Sequence, residues 1–238
     1  MEDMYIDWTY IVLVLPAIIF SLWASNRVKS TFKKYSSVYT KSHMTGYDAA
    51  RMVLDANGLY SVRIQRISGN LTDRFDPRTN VISLSDTVYN NASSAAIGVA
   101  AHEAGHAVQY AQEYFPIKIR IAIVPITNFG SKMSMPLILM GLLLSAFSPH
   151  LSVVAYIGVT CFALSTFFQL ITLPTEFNAS KRAIAAIVGS GQFTTEEIAG
   201  SKKVLSAAAM TYVAALAVSF MELMRLVLIV KNRTNKRR

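Results

Sequence analysis

Ala100-Ala101-His102-Glu103-Ala104-Gly105-His106-Ala107-Val108 is the stretch that governs the reading of this 238-residue chain. It contains H-E-x-x-H. On a helix that spacing puts His102 and His106 one turn apart on one face, where two neutral imidazoles can hold a zinc ion. Glu103, next to the first histidine, is placed to take a proton from a water at such a metal. The flanks favour a helix. Ser93-Ser94-Ala95-Ala96-Ile97-Gly98-Val99 leads in with small and apolar residues, and Asn90, Asn91 or Ser93 can cap the start. Ile97, Val99, Ala100, Ala104 and Val108 supply apolar surface to bury. Two buried structural histidines are the alternative reading, because a zinc site needs a third protein ligand.

Composition narrows the class. Hydrophobic residues make up 53% of the chain, charged residues 16%, and the mean hydropathy is +0.36, which describes an integral membrane protein better than a soluble domain. The net charge is +9. The basic residues sit beside apolar runs and are not interleaved with aromatics on a polar face. That placement fits anionic lipid headgroups and membrane topology, and it points away from nucleic acid. Cys161 is the single cysteine and lies in an apolar run, so there is no disulfide framework and no thiolate metal cluster.

Five stretches follow in order. Residues 1–26 form an N-terminal transmembrane helix: a short acidic start, then 17 mostly apolar residues (8–24) with Trp8, Tyr10 and Trp23 as interface anchors. No signal-peptide cleavage site is evident, so the helix is read as retained. Arg27, Lys29, Lys33, Lys34 and Lys41 follow, and the positive-inside rule sends the chain into the cytoplasm.

Residues 27–118 are the metalloprotease region that carries the H-E-x-x-H helix, and residues 42–118 of it read as a soluble piece. Thr45 can cap a short helix that Gly58 stops. Residues 61–68 and 81–84 read as strands around an Asp76-Pro77-Arg78-Thr79-Asn80 turn, with Asp73, Arg74 and Asp76 as solvated turn residues. The upstream strand either offers an open edge to an extended peptide or is an ordinary hairpin capping the core.

Residues 119–173 read as a transmembrane hairpin. Its two apolar arms, the second a 23-residue span over 151–173, meet at Ser148-Pro149-His150, which leaves His150 exposed and no ligand. Residues 174–206 then hold the candidate third ligand in Pro174-Thr175-Glu176-Phe177-Asn178-Ala179-Ser180. A helix starting at Pro174 or Thr175 puts Glu176 in its first turn, with Asn178 and Ser180 near enough to orient it or a ligand histidine. An even number of crossings returns this stretch to the face that carries His102 and His106. The alternative is a first-turn acid complementing the helix dipole. Thr194 and Glu197 form a capping-box pattern further on.

Residues 207–238 are a C-terminal apolar helix, where Glu222 and Arg225 read as a structural ion pair, and a tail with five basic residues. Four crossings from an outside start leave that basic tail outside. Either the last segment does not fully span, or the charge rule fails at one end.

With H-E-x-x-H and E-F-N-A-S in hand, most of the chain resembles the YugP-like bacterial membrane zinc metallopeptidases. More distantly it is similar to the gluzincin group that includes HtpX and the CAAX-prenyl proteases. The resemblance implies a mainly α, integral membrane protein: a gluzincin-like helical core, a small β-hairpin or sheet, and three to four transmembrane helices. It implies a zinc metalloendopeptidase (EC 3.4.24 class) in a bacterial plasma membrane, multi-pass, with its active site on the cytoplasmic face. One Zn2+ per chain would be held by His102, His106 and Glu176, with Glu103 as general base. The partners implied are a peptide or protein substrate, membrane proteins among them, and the lipid bilayer. In the wider gluzincins the glutamate motif usually ends in an Asp that supports a ligand histidine, and here Ser180 stands at that position. His43, Tyr89, Tyr110 and Tyr114 are candidate donors to the oxyanion of the reaction. Two other readings compete: an intramembrane site-2-type protease, and a catalytically lapsed metal-binding scaffold.

Overall fold

A computed structural model describes residues 7–235. The acidic start at residues 1–6 and the last three basic residues of the tail, Lys236, Arg237 and Arg238, lie outside the described residues. The chain is mainly helical and divides into two compact units. One comprises residues 1–23, 119–173 and 212–238, the other residues 24–118 and 174–211.

The second unit carries the site. Helix α1 (Leu15–Ser36), preceded by a π-helical turn at Tyr10–Val14, contributes its C-terminal half to it. Helix α2 (Gly46–Ala56) starts where Thr45 and Asp48 cap each other reciprocally, and it buries Ala49, Ala50, Val53 and Leu54. Gly58 ends it at a φ of 72°, a conformation that a side chain disfavours.

The three strands are β1 (Arg63–Ile67), β2 (Arg74–Asp76) and β3 (Val81–Ser85), in the order β1-β3-β2. The expected strands over 61–68 and 81–84 are β1 and β3, but they pair in parallel and do not form the hairpin. The hairpin is made by β2, in a region read as turn, which returns antiparallel onto β3 through residues 77–80. Every residue of β3 is buried, as a central strand requires. Asp73 is likewise not a solvated turn residue. Its carboxylate accepts the Ser85 N–H at 2.7 Å and the Ser85 hydroxyl at 2.9 Å, which extends the β2–β3 ladder by a side chain.

A short helix α3 (Asp86–Tyr89) leads to α4 (Ser94–Ala111), which carries H-E-x-x-H. Of the three candidate caps it is Ser93 whose hydroxyl accepts the Ala96 N–H. Most of α4 is buried because its alanines and glycines let neighbouring helices come close, and Ile97 packs with Leu54, Ile82, Leu84 and Val88 in the core. Each such side chain stabilises the fold by ~1.5–3 kcal/mol.

The other unit is built from parts of long helices: most of α5 (Phe115–Leu144), the part of α6 (Val153–Gly189, after a 3-10 turn at Pro149–Ser152) up to Leu173, and the part of α7 (Thr195–Asn235) from Tyr212 on. Among the described residues, three helical stretches are long and apolar enough to cross a membrane: Tyr10–Ser36, Pro149–Gly189 and Thr195–Arg233. Helix α5 is not among them, its apolar run being diluted by Asn128, Ser131, Lys132 and Ser134.

Within the unit α5 and α6 pack antiparallel through small residues. A Cβ on Gly141 would stand 2.1 Å from the Ala155 nitrogen, and one on Gly158 2.7 Å from the Ile138 nitrogen. Cys161 is packed there too, its carbonyl 3.1 Å from where a Cβ of Gly130 would stand. The expected Glu222–Arg225 pair is present at 2.7 Å, and Arg225 also donates to Asp7 at 2.7 and 3.0 Å.

One expectation fails in a way that matters. No new helix starts at Pro174 or Thr175, because α6 runs unbroken through both. Proline removes a single backbone hydrogen bond, and tertiary contacts beyond it hold the helix together. Glu176 is therefore mid-helix, and a first-turn dipole role does not apply to it.

Candidate metal centre

Helix α4 supplies His102, Glu103 and His106 within two turns, and the continuous α6 supplies Glu176 and Ser180. All of these residues belong to one unit. Glu176 Oε2 lies 3.2 Å from His102 Nε2 and 3.4 Å from His106 Nε2. The two rings meet edge to face, with centroids 4.7 Å apart. The three donor atoms fall within 4.8 Å of one another, the sole such metal-holding group among the described residues.

This donor set fits zinc. Atoms bound tetrahedrally at ~2.0–2.1 Å stand roughly 3.3–3.4 Å apart, close to the two nitrogen–oxygen contacts. Two imidazoles and one carboxylate also leave the fourth position of a tetrahedron open, as a catalytic site requires. None of the three is more than 9% exposed, so the donors are withheld from bulk water.

The approach of α6 to α4 depends on Gly105. A Cβ there would lie 2.8 Å from the Ala179 carbonyl oxygen, so Gly105 is where the backbones of the two helices that carry the candidate donors touch. Ser180, one residue on, faces His102 Nδ1 with its hydroxyl at 3.1 Å.

Asn178, also expected to orient a ligand, is linked to His106 through Gln109. Its Oδ1 accepts from Gln109, and Gln109 faces His106 Nδ1 at 3.0 Å. Gln109 is a site residue that the sequence analysis does not single out. Its spacing, three residues after His106 and so on the same face, was the available signal.

Glu103 is 9% exposed and sits beside β2. Burial pushes its carboxyl up to about 7. The His102 imidazole acts the other way, the charges of Glu176 and Asp73 add to the rise, and the Phe75 N–H aimed at the carboxylate opposes it. Phe75, on the strand, also packs against Tyr110 with centroids 6.2 Å apart. Of the four candidate oxyanion donors, Tyr110 thus contacts a residue that itself touches the site. Tyr89 packs on Tyr47 at 5.3 Å, and His43 lies exposed in an open groove with Tyr39, Asp86 and Asn91. His150 is exposed on its turn.

Comparison with known proteins agrees with this chemistry. A family model described as "Putative neutral zinc metallopeptidase" matches residues 10–231. The chain is 46% identical over 223 residues to "Putative membrane protease YugP" of Bacillus subtilis (strain 168), covering 94% of this chain and 97% of that protein. No solved structure matches the chain.

Proposed function

The chain belongs to this family of zinc metallopeptidases, and from that premise we propose that it is a membrane-anchored endopeptidase with one zinc per chain on His102, His106 and Glu176. The observation that carries the proposal is the convergence of those three buried donors with Glu103 beside them. The proposal extends to the core, read as a gluzincin arrangement in which α4 gives two ligands and α6 the third.

Zinc held there supplies Lewis acidity, polarising a peptide carbonyl and lowering the pKa of a water toward neutrality. Glu103 accepts the proton of the attacking water and returns it to the departing amine, so one buried carboxyl serves both steps. Strand β2 lies at a sheet edge beside Glu103, a place where an extended substrate can add as a further strand. Tyr110 is the candidate donor to the oxyanion. A purely structural metal would need no Glu103 and normally has four protein ligands, which argues against a lapsed scaffold. The intramembrane reading loses support because α4 is not among the helices apolar enough to cross a bilayer.

The proposed setting is a bacterial plasma membrane crossed several times, with the site on the cytoplasmic face and membrane proteins among the substrates. The Asp7–Arg225 pair supports an α7 that crosses fully. It joins Asp7, at the start of the first helix, to the late part of α7. The test is zinc content and casein cleavage of detergent-purified wild type beside Glu176→Ala. About one zinc per chain, lost together with cleavage in the variant, supports the reading. Zinc retained in the variant would move the third ligand elsewhere.

A further inference from the structure

Gln109 is fully buried and makes three side-chain contacts, each within hydrogen-bond range. Its Nε2 lies 2.8 Å from the Thr175 carbonyl oxygen and 2.9 Å from Asn178 Oδ1. The two ends of a glutamine amide look alike in shape but differ in chemistry, so their orientation has to follow from the partners. The Thr175 carbonyl only accepts. Asn178 Oδ1 also accepts from Arg182 Nε at 2.7 Å, and a guanidinium only donates, so the oxygen of Asn178 faces both. Arg182 is itself anchored on Gln112 Oε1 at 2.6 Å. The end of Gln109 that faces α6 is therefore its NH2.

The other end, Oε1, then faces His106 Nδ1 at 3.0 Å. An amide oxygen cannot donate, so the proton of this contact must sit on Nδ1. A neutral imidazole carries one ring proton, which leaves a lone pair on Nε2, the atom turned toward Glu176. His102 has no such constraint, since the Ser180 hydroxyl at its Nδ1 can donate or accept.

We propose that Gln109 is a positioning residue: it selects the metal-competent tautomer of His106 before any metal arrives, and locks that choice to the turn of α6 that carries Glu176. The purpose of the selection rests on the metallopeptidase reading above. The selection itself rests only on the hydrogen bonds.

The experiment uses the full chain in detergent with 15N-labelled histidine. There are four histidines in the sequence, so assignment by single substitution is practical. Long-range 15N–1H spectra of zinc-free protein at about pH 8 report which ring nitrogen carries the proton. Zinc affinity is measured separately by competition with a chelator.

Wild type should show His106 protonated on Nδ1. Gln109→Leu should show mixed tautomers, with zinc binding ~10–100-fold weaker. Gln109→Glu keeps an acceptor toward Nδ1 and should keep the tautomer, while the loss of its donors to Thr175 and Asn178 weakens zinc binding. A residue that merely packs α4 on α6 would show no such separation, with leucine and glutamate both weakening zinc binding and neither moving the tautomer. Wild-type His106 protonated on Nε2 would overturn the proposal without any variant having to fold. Gln109→Leu with an unchanged tautomer and wild-type affinity would overturn it too. Wild type that binds no zinc, yet shows the tautomer and its loss in Gln109→Leu, would support the selection and refute the metallopeptidase reading.

Discussion

Gly105→Ala tests whether the two ligand-bearing helices are held at a working separation by one missing side chain. The new Cβ would stand 2.8 Å from the Ala179 carbonyl oxygen, 3.4 Å from its carbon and 3.5 Å from its Cα. All three atoms are backbone, so no rotamer change relieves the contact. Bringing the oxygen out to 3.4 Å, where ordinary contact begins, takes about 0.6 Å of movement of α6 against α4. Ala179 is flanked by Asn178 and Ser180 and lies within one turn of Glu176, so the displacement falls on the site itself. A constellation of this kind tolerates about 0.5 Å before function suffers. Overpacking costs ~1–3 kcal/mol, offset by up to ~1 kcal/mol of helix propensity, so the stability loss should be modest. Zinc affinity should fall more steeply, ~10–100-fold, because the 3.2 and 3.4 Å donor contacts lengthen together. The assay is chelator competition alongside thermal melts with and without zinc. Gly98→Ala, on the same helix as Gly105, is the control: its Cβ would stand 3.2 Å from Ser201 of α7, so it should move the melt and leave zinc affinity alone. Gly105→Ala that binds zinc within about twofold of wild type would refute the reasoning.

Glu103→Gln should keep its zinc and lose cleavage by ~10²–10⁴-fold, the range for a positioned base, and cleavage near wild type with zinc bound would remove Glu103 from the mechanism. Asp73→Asn takes away a like charge that raises Glu103, so the acid limb of kcat/KM against pH should move to lower pH; a limb that stays or rises counts against the proposed base. Asp73 itself titrates above its ordinary value, chiefly through burial. The folded state therefore holds that proton longer, and ionising Asp73 lowers stability as pH climbs from 3.8 through the raised value, a slope that melts of the Asn variant should lack. Gly141→Ala, with its Cβ 2.1 Å from the Ala155 nitrogen, should lower the melting temperature while zinc affinity holds, and an unchanged melt would contradict the α5–α6 packing.

The parts of the candidate site that are legible in the sequence are those set by local periodicity. His102 and His106 are four residues apart on one helix, and whatever α4 packs against, the two imidazoles share a face. Ser180 was legible too, once Glu176 had been singled out, because it lies one turn further along the same helix. What escaped was fixed by partners distant in sequence. Pro174 looked like a helix start because a lone proline usually marks one, yet contacts to Thr175, Asn178 and Ser180 from a helix some seventy residues earlier carry α6 through it. Strand β2 is three residues long, too short for alternation to register, and it exists because β3 offers it a ladder and Asp73 clamps its end.

Gln109 combines both cases. Its face could be read from spacing, but its meaning could not, since a glutamine beside a histidine can present either end. That ambiguity is removed only by a backbone carbonyl and a guanidinium on another helix. Motif residues on a helix can thus be assigned from sequence, whereas the protonation state that makes a histidine useful belongs to the tertiary hydrogen-bond network. A chain that keeps H-E-x-x-H and the glutamate but replaces Gln109 with an apolar residue should therefore match the motif and still bind zinc weakly.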